Sequence, residues 1–199
     1  MTADEIGKLL NVSRGTLSQL ESYLGLLEKW QRRINLVANS TLADAWQRHI
    51  LDSAQLARFY PPNTKKILDV GSGAGFPGLV LAILGGVEVD LVESDQRKAI
   101  FLSTVINSLG LTAKVYNQRV EALPNLAPDV VTARALAPVP KLLKLIENQL
   151  SPDIVCLFLK GAKVEDELTN LQSYSSMVAT SYPSLSGENG VVLELKYRN

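Results

Sequence analysis

Asp69-Val70-Gly71-Ser72-Gly73-Ala74-Gly75-Phe76-Pro77-Gly78 is the stretch that decides the fold. It grows out of Lys66-Ile67-Leu68-Asp69-Val70, a short apolar run that reads as a buried strand, and it runs into an apolar helical stretch from Pro77 to Leu84. A glycine-rich turn between a strand and a helix is where doubly wound α/β proteins hold a nucleotide-like ligand, because backbone without Cβ atoms lets the ligand approach closely. Taken as Gly73-x-Gly75-x-x-Gly78, with Glu93 ending the next strand, the turn also satisfies the dinucleotide-binding spacing.

Downstream, strands and helices alternate. Val87 to Glu93 reads as a second strand, and Asp95 to Leu109 as a helix capped by Asp95 and ended by Gly110. Ala113 to Tyr116 is a third strand, Asp129 to Thr132 a fourth, Pro138 to Leu150 a helix, and Ile154 to Leu159 a fifth strand. Near-continuous apolar strands separated by helices predict a parallel sheet covered on both faces. The end of the chain differs: Met177 to Ser184 and Val191 to Tyr197 flank Ser186-Gly187-Glu188-Asn189-Gly190, the signature of an antiparallel hairpin. Upstream, Leu17, Leu20, Leu24, Leu27 and Trp30 predict an amphipathic helix over 13–34 with Ser13 as its N-cap. Trp46, Ile50, Leu51, Ala54 and Leu56 predict another over 41–59, with a turn at 35–40 between the two and Pro61-Pro62-Asn63 closing the region. The expected organisation is an N-terminal helical extension, residues 1–64, ahead of one Rossmann-like α/β domain, residues 65–199.

With 199 residues, 46% of them hydrophobic, the chain has material for one good core. Its only cysteine, Cys156, excludes an internal disulfide, a multi-cysteine zinc site and an iron–sulfur cluster. The first residues lack the pattern of a secretory signal, and the longest apolar run, Gly78 to Val87, is too short to span a bilayer. A cytoplasmic protein without membrane contact is the expectation. The 20 cations and 20 anions balance overall but are unevenly placed. From Lys29 to Lys66 there are seven cations (Lys29, Arg32, Arg33, Arg48, Arg58, Lys65, Lys66) against Asp44 and Asp52; from Ile67 onward there are 11 cations and 14 anions. That imbalance suggests an anionic partner held against the N-terminal region.

The acid at Asp69 bears on the ligand. A carboxylate facing the loop would repel a pyrophosphate and attract an amine or sulfonium. Acid-x-Gly-x-Gly-x-Gly after the first strand, with Glu93 ready for a ribose diol, therefore suits S-adenosylmethionine. Two absences narrow the chemistry. After the fourth strand stands Thr132-Ala133-Arg134-Ala135-Leu136-Ala137 rather than Asn/Asp-Pro-Pro-aromatic, which argues against methylation of exocyclic amines. Cys156 lies inside a core strand, a poor place for the thiolate that a cytosine-C5 mechanism needs.

The chain resembles the RsmG (GidB) family of small-subunit ribosomal RNA guanine-N7 methyltransferases over nearly its whole length. The likeness is carried by Asn35-Leu36-Val37, Arg48-His49-Ile50-Leu51-Asp52-Ser53, Asp69 to Gly78, Glu93-Ser94 with Lys98, Phe101-Leu102, Arg119-Val120-Glu121, Arg134-Ala135 and Leu159-Lys160-Gly161. It implies a class I S-adenosylmethionine-dependent methyltransferase fold without a metal. The substrate implied is the guanine conventionally numbered 527 in the decoding-region loop of 16S rRNA, free or in the 30S subunit, with no obligatory protein partner. By the same resemblance Gly71, Gly73, Gly75 and Phe76 line the methionine and ribose part of the cofactor, with Glu93 on the ribose and Asp69 joining them on the charge argument above, and Val120 and Glu121 meet the adenine region. Arg134 stands near the transferred methyl and the target base or its phosphate, as the catalytic residue and as part of the cofactor site, while Asn35, Arg48, His49 and Lys160 face RNA. The chain departs from the pattern at Val37, usually threonine, and in Gly187-Glu188-Asn189, which lacks an arginine after the glutamate. Attack by N7 of guanine, which has a lone pair and no proton to lose, needs no general base. Two other readings of the residues remain: an NAD(P)-dependent oxidoreductase and a non-catalytic RNA-binding factor.

Overall fold

The computed structural model describes residues 1–169 and 176–198. Seven strands form one sheet: β1 (Lys66–Val70), β2 (Glu88–Val92), β3 (Ala113–Tyr116), β4 (Val130–Arg134), β5 (Val155–Gly161), β6 (Met177–Pro183) and β7 (Gly190–Tyr197), in the order β3-β2-β1-β4-β5-β7-β6. The first five run parallel, and β7 lies antiparallel between β5 and β6. The sheet, its alternation and the closing hairpin agree with the sequence reading. Strand order reverses between β1 and β4, so the carboxyl ends of β1, β2 and β4 frame the crevice where such sheets bind ligands.

The helices are α1 (Ala3–Leu10), α2 (Arg14–Gln31), α3 (Asp52–Ala54), α4 (Gly78–Leu84), α5 (Gln96–Leu109), α6 (Val139–Leu145) and α7 (Val164–Leu168). Ser13 caps α2 through the Thr16 amide, and Asp95 and Gly110 cap α5 as expected. Periodicity missed α1, although Thr2 and Glu5 form a reciprocal capping box at its start. It also missed the single turns of α7. Helix α2 ends at Gln31 rather than 34, because the Gln31 side chain organises the next turn. Its Oε1 accepts from the amides of Leu36 and Val37, and its Nε2 donates to the Val37 carbonyl and Asn39 Oδ1.

The largest departure is at 41–59, which is not one helix. A 3₁₀ turn (Asn39–Thr41) leads to a π-helix (Trp46–Leu51), then α3, then a second 3₁₀ turn (Gln55–Phe59). The apolar stripe is buried all the same: Ile50, Leu51, Ala54 and Leu56 lie in the core. Similarly, α6 stops at Leu145 and a 3₁₀ turn over Glu147–Gln149 follows. There the buried Gln149 amide donates to the Pro124 carbonyl and accepts from the Leu126 amide, stitching down the loop before β4.

Two hydrophobic clusters sandwich the sheet. One joins Ile6, Leu20, Leu27, Ile50, Phe76, Leu79 and Phe101 to Ile67 and Val89; the other joins Leu68, Val131, Leu142 and Phe158 to Leu193. Each fully buried Leu or Phe contributes about 1.5–3 kcal/mol through removal from water. Since α1, α2 and the π-helix have their buried faces in the same cluster as β1 and β2, residues 1–64 have no core apart from the sheet's. No helix among the described residues is long and apolar enough to cross a membrane.

Candidate active site

The glycine turn is held from several sides. The Ser72 amide donates to the Val92 carbonyl (3.0 Å) and the Gly75 amide to the Ser72 carbonyl (2.6 Å). Glu93, almost buried, joins two turns: its carboxylate accepts from the amides of Gly73 (2.9 Å) and Asp95 (2.7 Å). Gly71 has φ +66°, and a Cβ there would lie 2.6 Å from the Leu136 side chain, so any other residue is strained and displaces Leu136. From α2, the buried Tyr23 hydroxyl donates to the Ala74 carbonyl (2.6 Å), and its ring packs 5.2 Å from that of Phe76.

One cavity opens beside this turn and a second adjoins it. A cleft of about 300 Å³ is bounded by Gly71, Gly73, Glu93, Val120, Glu121 and Arg134. A wider cavity of about 900 Å³ is bounded by Arg48, Asp52, Arg134, Lys160, Glu167 and the turn Ser186 to Gly190. Arg134, Ala135 and Leu136 belong to both walls. Ala135 there has φ +52°, a left-handed conformation that L-residues with a Cβ adopt only at a cost.

Arg134 is enclosed, its side chain 19% exposed. Its guanidinium carbon lies 4.8 Å from the centre of the Phe76 ring. Nη1 donates to the Arg48 carbonyl (3.2 Å) and to His49 Nδ1 (3.0 Å), and it lies 3.7 Å from Asp52 Oδ2. The other Asp52 oxygen, Oδ1, accepts from Ser184, Ser186 and Gln55, which fastens the β6–β7 turn to the N-terminal segment. Gln55 Oε1 accepts from the Leu185 amide and Gln47 donates to the Ser186 carbonyl, reinforcing that junction.

Of the residues expected to hold a cofactor, Gly71, Gly73, Glu93, Val120, Glu121 and Arg134 converge on the smaller cleft, while Asp69, Gly75 and Phe76 do not line it. Asp69 corrects the electrostatic expectation: its carboxylate is fully buried instead of facing the loop. It accepts from Thr132 Oγ1 at 2.8 Å, and burial pushes its pKa up to about 6. It lies against the start of α4, where a Cβ on Gly78 would come within 2.6 Å of its Oδ2. Phe76 lies beneath Arg134 and 4.7 Å from the His49 ring, a structural platform rather than a cleft wall.

Among the residues expected to face RNA, Asn35 is exposed beside Gln31, and Arg48 is exposed on the rim of the larger cavity. Lys160 also lines that cavity, but its ammonium is tied to Glu167 (2.8 Å) and the Ala137 carbonyl (2.7 Å). His49 is only 6% exposed; burial, then the charges of Arg134 and Arg48, push its pKa down to about 4. The basic stretch is likewise no single face, because Lys65 and Lys66 stand at the amino end of β1, opposite the glycine turn. Sequence reasoning gave no role to Tyr23, Thr41, Gln55 or Ser184. Asp52 lay within a quoted motif, yet apart from Gln55 its partners Arg134, Ser184 and Ser186 are over 80 residues away and carry no local signal.

Comparison with known proteins shows the family. The profile of the family described as rRNA small subunit methyltransferase G (GidB) matches residues 16–191. The chain belongs to this family. Ribosomal RNA small subunit methyltransferase G of Rhodospirillum rubrum is 48% identical over 195 residues, covering 98% of this chain and 97% of the relative. The Cereibacter sphaeroides (strain ATCC 17029) protein of the same name is 41% identical over 201 residues, covering 98% of each. Among solved structures, a SAM-dependent methyltransferase from Aquifex aeolicus superposes with TM-score 0.60 at 16% identity, covering 76% of this chain and 92% of the other. A ribosomal protein L11 methylase from Lactobacillus delbrueckii subsp. bulgaricus does so with TM-score 0.62 at 14% identity, covering 74% and 77%. Family and fold are thus those of S-adenosylmethionine-dependent rRNA methyltransferases, and the oxidoreductase reading lapses. Within the family's frame the smaller cleft suits that cofactor. A Cβ on Gly73 would meet only the Gly71 carbonyl oxygen, at 3.8 Å, and each Glu93 oxygen that accepts an amide retains a lone pair for a hydroxyl.

Proposed function

We propose that this protein methylates N7 of the guanine conventionally numbered 527 in 16S rRNA, with S-adenosylmethionine in the smaller cleft and the unstacked base in the larger cavity. The observation that carries the reading is the shared wall Arg134-Ala135-Leu136, which brings two cavities of unequal size together at one guanidinium. The bound cofactor supplies an electrophilic methyl carbon. Glu93 takes the ribose diol, Val120 and Glu121 the adenine, and the backbone of Gly71 and Gly73 the methionine end.

The residues around Arg134 favour a reaction without a general base. A guanidinium remains protonated even where burial lowers its pKa, so it donates and never accepts. His49, the sole histidine, has Nδ1 occupied by Arg134. What the site offers is alignment: a base held with its N7 lone pair on the methyl carbon. A donor aimed at N7 itself would block that lone pair, so Arg134 serves the guanine O6 or a flanking phosphate. Arg48 on the rim and Asn35 beyond it meet the RNA backbone, and Lys160, through its pair with Glu167, shapes the far wall. Cys156 takes no part: burial pushes its thiol pKa up to about 12.

The test is transfer of labelled methyl to 30S subunits from a strain lacking the modification, with the modified base then mapped. Label at N7 of that guanine is expected; label on another base, or on no RNA, refutes the assignment.

A further inference from the structure

We infer that His49 is a positioning residue with a fixed tautomer: Arg134, which can only donate, keeps its Nδ1 bare, Thr41 receives the proton left on Nε2, and the chain locks that guanidinium between the two cavities. The inference rests on the reading of Arg134 given above, and it moves His49 from the RNA-facing set to the interior. Its basis is a chain of hydrogen bonds whose direction is set at the guanidinium end. Thr41 Oγ1 donates its single proton to the Ala38 carbonyl at 2.7 Å. With that proton on Ala38, the oxygen is free to accept from His49 Nε2, 2.9 Å away, as the Arg134 end of the chain requires. A neutral imidazole has one N–H, which leaves Nδ1 with a bare in-plane lone pair. Arg134 Nη1 lies 3.0 Å from that lone pair and can only donate. The opposite tautomer would set two N–H groups against each other in a buried site.

The rest of the surroundings keeps the chain in place. The His49 ring lies nearly parallel to Phe76 (20°, centroids 4.7 Å apart), and the same Phe76 ring lies under Arg134. The π-helix brings the Arg48 carbonyl, the His49 ring and, just past its end, Asp52 to one guanidinium nitrogen. Thr41 itself sits in the 3₁₀ turn that follows the Gln31-braced loop. Among the described residues, Nε and Nη2 of Arg134 make no hydrogen bond, so those donors remain for a ligand. Fixing Nη1 thus decides where the remaining donors point.

Because His49 is the only histidine in the chain, its tautomer is directly readable by long-range proton–nitrogen correlation spectroscopy on uniformly ¹⁵N-labelled protein. The wild type is expected to show a single Nε2–H form at neutral pH. Thr41→Val is expected to give a mixture of tautomers and roughly a tenfold lower kcat, the scale of a small misplacement of a reacting group. Its cofactor Kd and its KM for 30S subunits should stay within about twofold, and Thr41→Ser should restore both spectrum and rate. An Nδ1–H form in the wild type overturns the inference. So does a Thr41→Val protein that keeps its kcat and shows only a raised KM, since that is the behaviour of an RNA contact. If the protein labels some other substrate, the spectrum still decides the tautomer, so this inference and the proposed function fail separately.

Discussion

At the scale of single residues, charge and proton position matter more than residue type. Arg134→Ala should leave the fold and cofactor Kd largely unchanged, within about threefold, yet lower methyl transfer by about two orders of magnitude, as measured in single turnover. The variant also leaves His49 Nδ1 and Asp52 Oδ2 without their donor, which costs about 1–3 kcal/mol by denaturant melt. His49 adds a pH dependence of known sign. Its folded pKa of about 4 lies below the ordinary 6.5, so its contribution to stability is full above 6.5 and is lost as pH falls towards 4. Asp69 acts oppositely: raised from 3.8 to about 6, its contribution is full below 3.8 and is lost as pH rises through 6. The melting-temperature difference between the wild type and His49→Phe isolates the histidine, and it should shrink between about pH 7 and pH 4.5. A difference independent of pH would show that the imidazole already protonates freely in the folded state.

At the scale of elements, what was legible in the sequence is what local chemistry decides. Asp95 and Gly110 announce the ends of α5 because a cap bonds backbone within a turn of itself. The apolar strands and the glycine turn are equally local. The π-helix was not legible, since its geometry serves Arg134, 85 residues from His49. Nor was the direction of Asp69, because the acid that sequence alone sets before a ligand is drawn under α4 by Thr132 in the neighbouring strand. Tyr23 belongs to the same class, a helix residue bonded to a loop 51 positions on. Tyr23→Phe removes that bond and should cost about 1 kcal/mol of stability. It should also weaken cofactor binding several-fold by calorimetry, because the Ala74 carbonyl loses its anchor. Gly71→Ala should weaken cofactor binding at least several-fold, since the φ of +66° strains a Cβ and Leu136 must move aside for it.

Over the whole molecule, neutrality hides a geometric division of charge. Arg48 is exposed on the rim of the larger cavity, whereas Lys65 and Lys66 stand at the other end of β1, Lys66 paired with Asp90 at 3.1 Å. Filter binding to the rRNA target across a salt series should therefore separate them. Arg48→Ala should lower the slope of log affinity against log salt by about one, and Lys65→Ala should leave it unchanged. Equal effects would mean that RNA is gripped by diffuse charge along the basic segment and not at the cavity mouth.

The single core joining α2 to the sheet has a further consequence, in the order of events during synthesis. Helix α2 leaves the ribosome before any strand exists, and Gln19 then waits for the Leu109 carbonyl, 90 residues behind it. Its apolar face stays uncovered until β1, α4 and α5 have emerged, so the nascent chain cannot settle piece by piece from its N-terminus. A stalled chain ending near residue 64 should accordingly be digested readily by protease, and protection should appear only once α5 is clear of the exit tunnel.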